Sequence, residues 1–247
     1  MIFMNIPSLY EQFQKQWGRF QTGWLISDTH FGDKELRAGM PNRPSDEEIV
    51  KSINSCVGKN DLLIHLGDVG DVEYVRKLKG YKVLIMGNHD LGASNYKRQK
   101  ITHNIPVNEM TLLEVRELAS RDYPNWKIHI EQYGSYWIVT ADNGLFDEVY
   151  EGALIVGEKL ILSHEPIVGL TWAMNLHGHV HDKRAKTDAY HTNCCSDVIG
   201  YEPINLTQKL KQGITARIAS IHRQTIDKAT ERKARRSTHS TNMVKNR

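Results

Sequence analysis

The run Tyr81-Lys82-Val83-Leu84-Ile85-Met86 leads straight into Gly87-Asn88-His89-Asp90. A short apolar run closed by glycine reads as a buried strand. At its C-terminal end stand an amide, an imidazole and a carboxylate, and in α/β sheets that edge is where ligands bind. The same layout recurs four times, in runs that end in Asp28-Thr29-His30, Gly67-Asp68, Ser163-His164 and Gly178-His179-Val180-His181. Alternation along an extended chain projects Asp28 and His30 to the same side. Five apolar runs that each deliver metal-type side chains outline a metal centre. A chance set of polar strand ends is the bland alternative.

Between these runs lie helical signals. Ser45 and Glu48 have the spacing of a capping box, Asp46 and Glu47 favour the positive end of the helix dipole, and Gly58 follows as a stop. Ile49, Ile53, Cys56 and Val57 form one apolar face, which makes Cys56 a core residue. Asp71 caps a second short helix that ends at Gly80. Strand–helix–strand alternation of this kind specifies an α/β fold. A further helix is expected over 108–121 and strands over 126–130, 136–139, 153–156, 193–199 and 203–206. Residues 91–135 read as an insertion beside the site.

The chain has 247 residues, 40% of them hydrophobic, enough for one large domain with an appendage. Mean hydropathy is −0.50 and no apolar run approaches a membrane span. The polar N-terminal segment does not read as a signal peptide. The three cysteines, Cys56, Cys194 and Cys195, are an odd number with two adjacent, so a disulfide framework is not expected and a cytoplasmic setting is. Tyr10, Phe13, Trp17 and Phe20 predict an N-terminal helix over 1–22. Residues 208–247 hold 11 Lys and Arg against 2 Asp and Glu, on an otherwise acidic chain. Leu210, Ile214, Ile218 and Ile221 predict an amphipathic helix there. The expected division is therefore a domain over 1–206 and a basic helix and tail over 207–247.

The polar strand ends pool Asp28, His30, Asp68, Asn88, His89, His164, His179 and His181, which supply seven candidate ligands. Imidazoles with a few carboxylates suit Mn, Zn, Fe or Ni rather than Ca. Seven such residues exceed one four-coordinate zinc and match two divalent ions that share a bridging carboxylate. Two ions roughly 3.5–4 Å apart clamp the attacking and leaving oxygens of phosphoryl transfer. They also acidify a bridging water, so that hydroxide exists near neutral pH without a serine or cysteine nucleophile. Arg43 lies between the first two motifs and could hold a substrate phosphate bidentately, against the plainer reading of a solvated loop arginine. His65 and His177, inside strands, read as core or supporting histidines.

The ordered set Asp28-x-His30, Gly67-Asp68, Gly87-Asn88-His89-Asp90, Ser163-His164 and Gly178-His179-x-His181 resembles the calcineurin-like metallophosphoesterase superfamily, most of all its small bacterial and phage members. The resemblance covers 23–206. It implies two facing β-sheets flanked by helices, a four-layer sandwich. It implies Asp28, His30 and His181 on a first metal, Asn88, His164 and His179 on a second, and Asp68 between them. His89 would stay unligated as the acid for the leaving oxygen, with Asp90 fixing its tautomer. Val69-Gly70 after the Gly-Asp motif, and Asp90 where the protein phosphatases have Glu, argue against a Ser/Thr phosphatase. Asp71 stands where purple acid phosphatases carry their tyrosine.

The expected function is hydrolysis of a phosphodiester, or a monoester, by a bridging hydroxide, with two divalent ions, Mn²⁺ favoured. The substrate could be a nucleotide or nucleic acid, and no membrane is involved. A second copy of the chain is a candidate partner. The rival reading is a catalytically weak scaffold that holds nucleic acid through the basic tail, whose affinity would fall steeply with salt.

Overall fold

The computed structural model of the chain describes residues 17–156, 159–181 and 188–219. The expected N-terminal helix, except its last turn at Trp17, and the basic tail beyond 219 lie outside these residues.

A five-stranded sheet has the order β12-β1-β2-β3-β7: β1 (Gly23–Ile26), β2 (Leu62–His65), β3 (Tyr81–Ile85) and β7 (Glu148–Tyr150) run parallel, and β12 (Ile204–Asn205) is antiparallel to β1. A four-stranded sheet has the order β11-β10-β9-β8, where β9 (Leu160–Leu162), β10 (Met174–His177) and β11 (His191–Asn193) are parallel and β8 (Leu154–Ile155) is antiparallel. The two sheets face each other. Leu25, Leu62, Ile64, Val83 and Ile85 of the first meet Leu160, Leu162, Met174 and Leu176 of the second in one buried cluster. Each side chain of this size contributes roughly 1.5–3 kcal/mol on burial.

The alternate residues Ile26, Leu63 and Leu84 point to the outer face of the first sheet. There they pack on Ile49, Val50 and Ile53 of α2 (Asp46–Cys56) and on Val75 of α3 (Val72–Val75). Ser45 and Glu48 close the capping box at 3.2 and 2.8 Å, and Asp71 caps α3 through the Glu73 N–H at 2.9 Å. A one-turn helix, α1 (Lys34–Gly39), capped by Asp33, lies between β1 and α2. Among the described residues the outer face of the second sheet is covered by Ile167, Leu170, Trp172 and Ala173. The fold is therefore the expected α/β pair of facing sheets, with helices packed on the first.

The stretch 91–135, expected as an insertion, belongs to a structural unit that extends beyond it. β4 (Lys100–Pro106), β6 (Tyr136–Asp142) and β5 (Lys127–Tyr133) form a separate antiparallel sheet, with α4 (Leu112–Asp122) on one face. β6 is its central strand, so the unit runs to 142. Sequence gave no sign of β4, because that strand is mostly exposed. The expected helix over 108–121 begins later, since Thr111 and Glu114 form its capping box, and Val115 and Ala119, not the exposed Leu113, face the sheet.

The expected strand over 193–199 ends at Asn193. Val198 and Ile199 donate to the Cys195 carbonyl and turn the chain. α5 (Leu206–Lys211) is short, and Ile214 and Ile218 pack into the core between the sheets. The start of the tail thus belongs to the domain. Among the described residues no helix is long and apolar enough to cross a membrane.

Candidate metal centre

Every motif singled out in the sequence lies at the C-terminal end of a parallel strand, at the edge where both sheets converge. The sheets are joined there directly: Ser27 bridges Cys195, with Ser27 N–H donating to the Cys194 carbonyl at 3.0 Å and Ser196 N–H to the Ser27 carbonyl at 2.9 Å. The backbone turns sharply to aim the side chains inward. Asp28, His30, Asp68 and His179 all adopt positive φ, between 39° and 69°. Such conformations cost of order 1–3 kcal/mol each for residues with a Cβ and persist where surrounding contacts impose them. Here Asp28 N–H donates to Gly67 O at 2.9 Å and His30 N–H to Asp68 O at 3.0 Å, which ties the first two loops together.

Asp68 stands at the middle. Its Oδ2 lies 3.5 Å from His30 Nε2 and 3.4 Å from His164 Nε2, and its Oδ1 accepts the His89 N–H at 2.9 Å. On one side, Asp28 Oδ1 faces His181 Nε2 at 3.5 Å, and Asp28, His30 and His181 form a cluster able to hold an ion. On the other, Asn88 Oδ1 lies 2.8 Å from His164 Nε2 and 3.0 Å from His179 Nδ1. All seven expected ligands therefore meet in two groups that share Asp68. His30 Nε2 is buried without a hydrogen bond. An orphaned imidazole nitrogen aimed at a carboxylate fits a cation between them, and the mixed N and O donor set fits borderline divalent ions.

Three glycines let these groups approach. A Cβ on Gly67 would come 2.7 Å from Gly87 Cα and 2.8 Å from His164 Nδ1. One on Gly178 would strike Ser27 and the Asp28 carboxylate, and one on Gly87 would strike Asp68.

The electrostatics follow from burial and pairing. Burial opposes ionisation of Asp28, but His181, Ser27 and Cys195 outweigh it and hold the carboxyl well below its usual range. Asp197, and then Asp28, push His181 up to about 10 against its burial. Burial pulls His30 down, against the attraction of Asp68 and Asp28. His65 is fully buried and pulled down to about 4. Thr29 Oγ1 donates to Val69 O at 2.9 Å, so at 2.9 Å from His65 Nε2 it must accept. His65 is thus the neutral Nε2–H tautomer, and its Nδ1 accepts Gly67 N–H at 3.2 Å. It supports the loops from behind, as does His177 through its contact with Gly178 O.

Two expectations change. Asp90 does not orient the His89 ring. Its Oδ1 accepts Val69 N–H at 2.9 Å, and its Oδ2 accepts Asp68 and Gly87 N–H at 3.0 and 2.8 Å. A carboxylate three residues past a tight turn satisfies the nearest orphaned donors, so Asp90 fixes the loops instead. Arg43 is not available to substrate. Its side chain is 1% exposed, donates to the Thr29 carbonyl and faces Asp46 at 3.9 Å. His89 itself is exposed, with its ring 5.5 Å from the His30 ring and without a hydrogen bond among the described residues.

Asp197, Cys195 and Ser196 were not foreseen as site residues. Cys195 Sγ donates to Asp28 Oδ2 at 3.1 Å, Ser196 Oγ to Asp28 O at 2.7 Å, and Asp197 Oδ1 lies 3.3 Å from His181 Nδ1. The signal was present as a sixth strand end, Asn193-Cys194-Cys195-Ser196-Asp197, without the histidines that mark the others.

The calcineurin-like phosphoesterase family model matches residues 24–190, and the chain belongs to that family. Its members are metal-dependent phosphoester hydrolases, and this chain carries residues able to hold the ions. A protein of unknown function from Aquifex aeolicus is similar in structure, with a TM-score of 0.49 and 21% identity over 77% of this chain and 98% of that one. None of the curated proteins compared matches the chain.

Proposed function

We propose that the chain is a two-metal phosphodiesterase in which Asp28, His30 and His181 hold one ion, Asn88, His164 and His179 hold the other, and Asp68 bridges them. The observation that carries this reading is Asp68 Oδ2, placed 3.5 Å from His30 Nε2 and 3.4 Å from His164 Nε2. When bound, divalent ions of the Mn²⁺ type neutralise phosphate charge and acidify a water near neutral pH.

The chain's own residues do the rest. Asp68 is held by its own N–H on Asp90 and by the His89 N–H on its Oδ1, so its free oxygen stays aimed between the two groups. The exposed His89 ring reaches the open side of the site, where a protonated imidazole can give its proton to the leaving oxygen. Arg43 is withdrawn behind Thr29, so among the described residues the extra charge of a monoester dianion does not meet its guanidinium. That favours the singly charged diester.

The test is Asp68→Asn. It keeps the shape of the bridge and removes its charge. The expected result is loss of one bound Mn²⁺ and a fall of at least 10²-fold in hydrolysis of an aryl phosphodiester, where loss of a group aimed at the reacting centre has this scale. Wild-type turnover in that variant would overturn the reading. Faster hydrolysis of the matching monoester by the wild-type protein would overturn the diester preference alone.

A further inference from the structure

We propose that Asp197 is a positioning residue that fixes His181 for one of the two metal positions, the one formed with Asp28 and His30. The inference rests on the ligand assignment above and goes beyond it. His181 presents Nε2 to Asp28 Oδ1 at 3.5 Å and Nδ1 to Asp197 Oδ1 at 3.3 Å. His181 Nδ1 and Asp197 Oδ1 are both buried, neither makes a hydrogen bond, and each has the other at 3.3 Å. An imidazole can flip and exchange its two nitrogens. A carboxylate behind Nδ1 fixes the tautomer that leaves the Nε2 lone pair free for an ion, and makes that nitrogen a stronger donor.

Asp197 can do this because its own place is fixed. Its side chain is 7% exposed. The turn that carries it is pinned to the opposite ligand strand: Ser196 N–H donates to Ser27 O at 2.9 Å, Ser196 Oγ to Asp28 O at 2.7 Å, and Cys195 Sγ to Asp28 Oδ2 at 3.1 Å. One turn after β11 therefore holds Asp28 and His181 relative to each other. Among the described residues the other group has no such carboxylate behind its imidazoles. His164 Nδ1 faces the Leu66 carbonyl at 2.9 Å, and His179 faces Asn88 and His164. The effect of Asp197 is therefore one-sided, and a general loss of structure would not be.

The experiment is a Mn²⁺ titration, with free ion read by electron paramagnetic resonance, on full-length wild type, Asp197→Ala and Asp197→Asn, and on each change in His179→Ala and His30→Ala backgrounds. The expected wild-type result is two bound ions. Asp197→Ala weakens one of them roughly 10–100-fold, the range for loss of a partner behind a metal ligand. The same loss is expected with His179→Ala, where only the Asp28 position remains, and no loss with His30→Ala. Asp197→Asn keeps an acceptor and loses less. If the alanine variant does not melt cooperatively, Asp197→Asn carries the test alone. Unchanged affinity in a folded variant, or equal loss in both backgrounds, overturns the role of Asp197. A wild-type chain that binds no Mn²⁺ overturns the ligand assignment itself.

Discussion

Asp90 holds Asp68 by its backbone, not by its side chain: Asp90 Oδ2 accepts the Asp68 N–H at 3.0 Å, while Asp68 Oδ2 stays turned toward His30 and His164. The same carboxylate takes Gly87 and Val69 N–H. Asp90→Ala leaves three backbone donors without their acceptor, and each such donor, where buried, costs about 1–3 kcal/mol. The expected result is a lower melting temperature together with weaker metal binding. Asp90→Asn, which keeps one acceptor oxygen, should fall between. Unchanged melting of the alanine variant would show that solvent replaces all three bonds.

Gly178 touches Ser27 and Asp28 so closely that no side chain fits. Its Cβ would lie 2.7 Å from Ser27 Cβ and closer still to the Asp28 carboxylate. Gly178→Ala should displace Asp28 and reduce metal affinity by at least an order of magnitude. Gly92→Ala, where nothing lies within 4 Å, is the matched control and should bind as wild type. Calorimetric titration with Mn²⁺ checks both.

The metal-free protein should be most stable near pH 6.5. His181, ordinarily 6.5 and pushed up to about 10 beside Asp197 and Asp28, stabilises the fold fully below 6.5 and loses that contribution as pH rises through 10. His65 works in the opposite sense. Buried and pulled down to about 4, it stabilises above 6.5, and that contribution is lost as pH falls toward 4. Melting curves in chelator across pH 4–10 should fall on both sides, and His181→Gln should flatten the alkaline limb. Metal bound at Asp28 must displace the His181 proton, so its affinity should rise with pH over the same range.

The His89 ring makes no hydrogen bond among the described residues and lies exposed, 5.5 Å from the His30 ring. His89→Ala should therefore leave metal content and melting unchanged. It should slow an alkyl diester, whose leaving oxygen needs a proton, by 10²–10⁴-fold, and an aryl diester much less. Equal losses on both esters would remove the acid role.

Much of the site was legible because strand ends obey a local rule. An apolar run buries itself, and the polar residues that follow it must emerge at the sheet edge. That put Asp28, His30, Asp68, Asn88, His89, His164, His179 and His181 at strand ends, and the Ser45–Glu48 and Asp71 caps before their helices. β4 was not legible, since an exposed antiparallel strand has no apolar period to betray it. The strand end that carries Asp197 was legible, but its pairing with His181 was not, because nothing in its neighbourhood names a partner 16 residues back in the chain.

The sequence by itself determined most strands of the two main sheets (though not β7 or the bounds of β11), the chemistry at their ends and the family to which they belong. Only the tertiary structure decided which polar residue faces which. Asp90 turns to three backbone donors, Arg43 is buried against Thr29 and Asp46, and Asp197 stands behind His181. The physical reason is that hydrogen-bonding partners are set by sub-ångström placement of loops from different strands. Residue type and spacing fix where a side chain emerges, and packing of the two sheets fixes what it meets.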